Sequence, residues 1–129
     1  MDDSHRLVRR MWTSYREGGT EAALPLLHPK VEFVAVDGTR FEGHDGVRRF
    51  FRGFEEQGQT FEASPYSFEG HGDAVLVAGH RRIHSNQGTR GDYLYFVHIV
   101  DEGLITLLSA HTSREAALER LQGERERGG

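Results

Sequence analysis

The fold of this chain is decided by four consecutive stretches: TFEASPYSFEG at residues 60–70, AVLVAGHRRIHS at 74–85, GDYLYFVHIV at 91–100 and LITLLSAHT at 104–112. They are rich in β-branched and aromatic residues, and short segments that contain glycine separate them. Strands joined by short turns pair with their neighbours in antiparallel order. The pattern therefore predicts a meander of four antiparallel strands.

The N-terminal segment has the periodicity of a helix. Leu7, Met11 and Tyr15 recur at every fourth position of SHRLVRRMWTSYRE at 4–17, which indicates an amphipathic helix with one apolar stripe. The Gly18-Gly19 pair is a suitable stop for that helix. The stripe predicts that this helix packs against the sheet.

Three further helices and a hairpin complete the pattern. A short helix is expected over EAALPLL at 21–27, a hairpin over 31–43, a helix over VRRFFRGFEEQ at 47–57 and a last helix over REAALERLQ at 114–122. Helices and antiparallel strands in separate blocks indicate an α+β fold. We expect one domain over residues 1–122, followed by a mobile tail at 123–129 that has no apolar side chain to hold it down.

Composition excludes several classes of protein. The 129 residues carry a net charge of −4, which disfavours general binding to nucleic acid, and the absence of cysteine excludes a disulfide framework and thiolate metal sites. No apolar run approaches the length of about 18 residues that crosses a bilayer, and MDDSHRLVRR at the N-terminus does not resemble a secretory signal. These features predict a cytoplasmic protein that binds neither nucleic acid nor membrane.

The histidines do not have the spacing of a metal site. The chain has eight, and His80, His98 and His111 lie on successive strands whose expected pairing keeps the three rings apart. The motifs of phosphate-binding loops and of serine hydrolases are also missing. We therefore expect no metal and no cofactor.

Several segments resemble the nuclear transport factor 2-like superfamily, in particular its SnoaL-like branch, which includes polyketide cyclases and relatives of ketosteroid isomerase. They are LLHPKVEFVAVDG at 26–38, FEGHDGVRRFF at 41–51, DEGLITLL at 101–108 and TSREAALERL at 112–121. The resemblance implies a strongly curved, cone-shaped antiparallel sheet with helices on its concave face, and a deep pocket between them. It also implies a homodimer through the other sheet face, for which we expect Leu76, Phe96 and either Leu107 or Leu108 near the centre.

The same resemblance argues against steroid isomerisation. It places Trp12, Ala35 and Tyr95 where ketosteroid isomerases carry the oxyanion tyrosine, the general base and the protonated acid. Alanine has no titratable atom, so Ala35 cannot abstract a proton. Another chemistry, or none, must be considered.

The alignment also predicts which residues face the pocket. Odd-numbered residues of the second and third strands of the meander are expected on the concave face, which makes the pocket apolar and aromatic. The predicted ligand-binding residues are Trp12, Tyr15, Phe54, Arg81, Tyr93 and Val97. Arg81 is expected either to hold a ligand carboxylate or to pair with Asp92 or Glu62. For the last strand both rows are apolar, and the alignment favours Leu108 and Ala110 over Leu107, Ser109 and His111.

Two functions are open at this point. The first is an enzyme that performs acid–base isomerase, cyclase or hydrolase chemistry on a small hydrophobic molecule, with Asp37 or His111 as the base and Tyr95 as the hydrogen-bond donor. The second is a non-catalytic module for ligand binding or dimerisation. A small hydrophobic molecule and a second copy of the chain are the expected partners.

Overall fold

The computed structural model describes residues 3–128 of the chain. Its elements in chain order are α1 (Asp3–Ala23), a 3-10 turn (Leu24–Leu26), β1 (Leu27–Val34), β2 (Arg40–Glu42), α2 (Gly43–Glu56), β3 (Thr60–His71), β4 (Ala74–Ser85), β5 (Gly88–Asp101), β6 (Leu104–His111) and α3 (Arg114–Gly128). This order confirms the predicted α+β class. Within this part of the chain, no helix combines the length and the hydrophobicity that a membrane crossing needs.

Helix α1 is amphipathic and contains a kink. Leu7, Val8, Met11 and Trp12 are buried and form the stripe that packs on the sheet. The backbone leaves helical geometry at Gly19, where φ is 77°, a value that glycine adopts without steric cost. The predicted break at the glycine pair is therefore confirmed, and a short helical segment follows it.

The strands form one curved, six-stranded sheet in the order β2-β1-β6-β5-β4-β3. The meander from β3 to β6 is antiparallel, as predicted, and so is the β1–β2 hairpin. The exception is the join between β1 and β6, which are parallel. This pairing brings the two ends of the chain's β structure together, which local patterns do not reveal.

The turn between β4 and β5 sets which residues share a face. Ser85 pairs with Gly88 across a two-residue turn, and this register sets Arg81 opposite Asp92. Directly opposed residues of antiparallel strands lie on the same face, so the even-numbered residues of β5 join the odd-numbered residues of β4. The predicted parity of β5 is therefore wrong by one residue. Tyr93, Tyr95 and Val97 lie on the convex face.

The last strand follows the parity that the resemblance favoured. A tight turn at Glu102 and Gly103, with φ of 50° and 81°, connects β5 to β6. The register then shifts between Ile99 and Val100, which marks a β-bulge. Beyond it, Leu108 and Ala110 belong to the concave core.

The two faces of the sheet carry separate clusters. The concave face, with α1 and α2, holds the main core, whereas α3 packs on the convex face through Ala117 and Leu121 against Leu76 and Val97. The expected dimer centre needs correction, because Phe96 and Leu108 belong to the concave core and α3 packs against Leu76. The helix also continues to Gly128, beyond its predicted end at Gln122. The mobility expected for the segment 123–129 stays a prediction, and its last residue lies outside the described residues.

Candidate functional site

A cavity of about 300 Å³ lies between α1, α2 and the concave face of the sheet. Its wall is mostly apolar and rich in aromatic rings, because the phenylalanines of α2 meet those of β1 and β3. These phenylalanines are Phe33, Phe50, Phe51, Phe54 and Phe61, and Trp12, Tyr15 and Phe96 add further rings. Neighbouring rings contact each other edge-on or tilted, with centroids 4.8 Å apart for Phe33 and Phe50 and 5.0 Å apart for Phe54 and Phe61. The wall is therefore a connected aromatic network.

Trp12 is held in this wall by a buried hydrogen bond. Its indole N–H donates to Nε2 of His98 at 3.0 Å, and Nδ1 of His98 lies 3.3 Å from the carbonyl oxygen of Val75. Because Nε2 accepts a hydrogen bond, the proton of the neutral imidazole belongs on Nδ1, where it is donated to Val75. Burial lowers the pKa of His98 to about 4. His98 is thus a neutral support for Trp12.

Tyr15 lines the cavity and carries a phenol hydroxyl. The ring makes an edge contact with Trp12 at 6.3 Å and a tilted contact with Phe51 at 5.5 Å. Burial raises the pKa of Tyr15 to about 12, and the nearby charge of Glu62 adds to this effect. The phenol therefore stays protonated. Among the described hydrogen bonds none uses it, so it is available as a donor.

Arg81 contributes a second polar group from β4. Its Nε and Nη2 donate to the carboxylate of Asp92 at 2.9 and 2.6 Å, a bidentate pair across the β4–β5 ladder. The alternative of an internal salt bridge with Asp92 is therefore the one observed. Arg81 therefore lines the cavity with its positive charge neutralised by the carboxylate of Asp92.

Asp37 lines the cavity from the exposed turn between β1 and β2. The backbone N–H of Thr39 donates to its carboxylate at 3.0 Å, and this bond holds the pKa of Asp37 below its usual range. The carboxylate is ionised at neutral pH, but it is a weak base for the same reason. Ala35 lies on the same wall and offers no titratable atom.

The predicted site residues fall into two groups. Trp12, Tyr15, Asp37, Phe54 and Arg81 all line the cavity.

The others do not share it. Tyr93 is exposed on the convex face beside His80, with ring centroids 5.0 Å apart. Tyr95 and Val97 pack in the cluster that contains α3. His111 hydrogen-bonds to Ser109 at 2.9 Å on that same face, and burial, with a contribution from Arg120, lowers its pKa. Tyr95 and His111 therefore lie across the sheet from Asp37.

On β5, three residues of the site were missed by sequence reasoning. Leu94 and Phe96 line the cavity in place of the predicted β5 residues, and His98 supports Trp12 from the same face. One signal could have found them. Opposite charges at Arg81 and Asp92 indicate a cross-strand pair, and that pair assigns the even-numbered residues of β5 to the cavity.

The polar groups do not form a metal site. Within the described part of the chain, no group of three or more His, Asp or Glu side chains is arranged to hold a metal ion. The cavity wall is instead apolar and aromatic, and the charged or hydroxyl-bearing residues on it are Tyr15, Thr20, Asp37 and Arg81. Such a wall suits a flat hydrophobic molecule that carries a polar substituent.

Several solved structures are similar to this chain. TerC, co-crystallised with polyporic acid, is 22% identical over 92% of this chain and 97% of that chain, with a TM-score of 0.76. An LEH-like epoxide hydrolase from Mycobacterium tuberculosis is 19% identical over 91% of this chain and 87% of that chain, with a TM-score of 0.70. Rv0760c from the same organism, in complex with estradiol-17β-hemisuccinate, is 16% identical over 89% and 97%, with a TM-score of 0.71. At these identities the likeness shows a shared fold.

The family follows from the sequence itself. No curated protein is a significant match to the chain. A family model, however, covers residues 8–108, which include most of α1, all of α2, most of the cavity lining and most of the sheet, and that model describes the SnoaL-like domain. The chain therefore belongs to the SnoaL-like domain family.

Proposed function

We propose that this protein binds a small, rigid hydrophobic molecule in the aromatic cavity and hydrogen-bonds to an oxygen atom of that molecule through Tyr15. The observation that carries the proposal is the protonated phenol of Tyr15, which has no hydrogen-bond partner among the described residues and belongs to a residue that lines a mostly apolar cavity. A half-buried hydroxyl without a protein partner favours a ligand that supplies an acceptor. A volume of about 300 Å³ is within the range of small-molecule sites.

Binding is supported better than catalysis by the titratable groups. A general base works best when its pKa is near the working pH, whereas hydrogen bonding lowers the pKa of Asp37 and burial lowers that of His98. Both nitrogens of His98 already have partners. No described group on the cavity wall combines a free position with the properties of an efficient base.

An enzyme is the second candidate, and one observation favours it. The ionised Asp37 and the neutral phenol of Tyr15 line the same cavity, which is the combination that proton abstraction next to a carbonyl requires. The similar structure named as an epoxide hydrolase supports catalysis only as an analogy of fold.

Two matched probes test the binding proposal. 2-Acetylnaphthalene carries a carbonyl acceptor, and 2-ethylnaphthalene has nearly the same shape without it; both can be measured by displacement of the fluorescent probe N-phenyl-1-naphthylamine. We expect Tyr15→Phe to weaken binding of the ketone by about 0.5–1.5 kcal/mol and to leave the hydrocarbon unchanged. Tyr66→Phe, which removes an exposed hydroxyl outside the cavity, is the control.

A blocking variant shows whether the cavity is the site. Ala35→Phe places a ring in the cavity and should abolish binding of both probes. Unchanged binding in Ala35→Phe would refute the proposal. Catalysis is tested on the same ketone, because an enzyme with Asp37 as its base would exchange the methyl protons for deuterium in D₂O, and Asp37→Asn would remove that exchange.

A further inference from the structure

The aromatic cavity opens into a second, polar space. This outer cavity has a volume of about 630 Å³ and shares six lining residues with the inner one: Tyr15, Thr20, Phe51, Phe54, Phe61 and Ala63. These shared residues mean that the two cavities are adjacent and that Tyr15 stands at their junction. A ligand that hydrogen-bonds to Tyr15 in the inner cavity therefore has room to extend into the outer cavity.

The lining of the outer cavity is rich in hydrogen-bonding side chains. Arg16 and Thr20 come from α1, Glu55 from α2, Gln59 from the residue before β3, and Thr60 from the first residue of β3. Among the described hydrogen bonds and ion pairs none engages these five side chains, so their donors and acceptors are free for a ligand. Gln59 and Thr20 are half-buried, whereas the other three residues are exposed.

The charged side chains around the outer cavity are of both signs, so the lining is not complementary to a strongly charged ligand group. Glu62 lies 3.1 Å from His84, which leaves Arg16 and Glu55 as the charged groups without a protein partner in the described part of the chain. An anion would be attracted by Arg16 and repelled by Glu55, and a cation would be attracted by Glu55 and repelled by Arg16. Hydroxyl groups, by contrast, both donate and accept, and they suit a lining that mixes Arg, Gln, Thr and Glu.

We propose that the ligand of this protein has two parts, a flat apolar ring system in the inner cavity and a neutral, hydroxyl-rich group, such as a sugar, in the outer cavity. The proposal rests on the proposed function, because it assigns the ring system to the aromatic wall. It goes further in naming the chemical class: a glycosylated or polyhydroxylated aromatic compound. Gln59 and Arg16 are the residues that determine specificity for the polar part.

Three naphthalenes that differ only in their substituent test this assignment. 2-Naphthyl β-D-glucoside carries a neutral polyol, 2-naphthyl sulfate carries an anion, and 2-methoxynaphthalene carries neither; dissociation constants are measured by isothermal titration calorimetry. We expect the glucoside to bind the wild-type protein at least about threefold more tightly than either other probe, since one neutral hydrogen bond is worth about a threefold to tenfold change in affinity.

Variants with matched controls locate the effect. Gln59→Ala and Arg16→Met should each weaken the glucoside about threefold to tenfold and leave 2-methoxynaphthalene unchanged. Gln57→Ala and Arg10→Met make the same substitutions at exposed positions that do not line the outer cavity, and they should change neither affinity.

The outcomes separate this proposal from the one on which it rests. If 2-methoxynaphthalene binds as tightly as the glucoside, the outer cavity makes no specific contacts and the assignment of a hydroxyl-rich group is wrong, whereas binding in the inner cavity stands. If the sulfate binds most tightly, Arg16 selects anions and the assignment is equally wrong. If none of the three naphthalenes binds, both proposals fail.

Discussion

The buried pair of Trp12 and His98 makes the stability of this protein depend on pH in a predictable way. His98 is fully buried, and its pKa is about 4 in the folded state, compared with 6.5 for an unperturbed histidine. Between these values the unfolded chain binds a proton that the folded chain excludes, so the free energy of unfolding decreases as the pH falls. The stability is fully present above about pH 6.5 and is lost as the pH approaches 4. At about 1.4 kcal/mol per pKa unit, the loss is about 3 kcal/mol.

A variant that keeps the contacts but cannot titrate isolates this effect. His98→Gln retains an oxygen that can accept from Trp12 and an N–H group that can donate to Val75. The free energy of unfolding is measured by urea denaturation from pH 7 to about pH 4, in the wild-type protein and the variant. We expect the difference between them to move by about 3 kcal/mol in favour of the variant over that range.

His80→Gln is the control, because it removes an imidazole from the opposite face of the sheet. Its pH profile should stay parallel to that of the wild-type protein. If the His98→Gln profile is also parallel, His98 does not exclude its proton in the folded state, and our reasoning about the buried pair is refuted.

Three other variants follow from particular contacts. Gly46→Ala should lower the free energy of unfolding by about 1–3 kcal/mol, because its Cβ would lie 2.9 Å from the carbonyl carbon of Phe41; an unchanged thermal midpoint would contradict this. Arg81→Met should lower the free energy of unfolding by about 1 kcal/mol, because it removes the paired hydrogen bonds to Asp92. A double-mutant cycle with a variant of Asp92 measures the interaction energy of the pair, and purely additive effects of the two substitutions would show that the pair contributes nothing. We still expect a homodimer through the convex face, now beside α3, where Tyr93 is 63% exposed; light scattering should show a monomer for Tyr93→Glu, and a wild-type monomer would reject the dimer.

The helices could be predicted because their signals are local. Leu7, Met11 and Tyr15 are spaced for one helical face, and a glycine next to that segment adopts the positive φ that ends regular helix. The aromatic wall was partly predictable for the same reason, because Phe50 and Phe54 lie one turn apart on α2 and face the same side. The resemblance to a known family added the curved sheet and the cavity beneath it.

The candidate site was only partly predictable because strand parity has a period of two. Both rows of β5 are apolar or aromatic, so the pattern alone does not distinguish the face of Phe96 from that of Tyr95. An error of one residue in the predicted β4–β5 register places Tyr95 and Val97 on the wrong face of the sheet. Tyr95 was the predicted hydrogen-bond donor. The donor that lines the cavity is Tyr15, on a helix whose orientation the sequence already indicated.

The amino-acid sequence by itself determined the order of helices and strands and the apolar stripe of α1, because these follow from residue type and local spacing, and the family resemblance added Ala35 at the position of the general base and an aromatic concave face. Only the tertiary structure decided that β1 lies parallel to β6, that Arg81 pairs with Asp92 and that His98 supports Trp12. Each of these contacts joins residues whose pairing depends on strand register or on packing between elements. Register is set by turn geometry and by the burial of a whole face, so it emerges only when the elements come together.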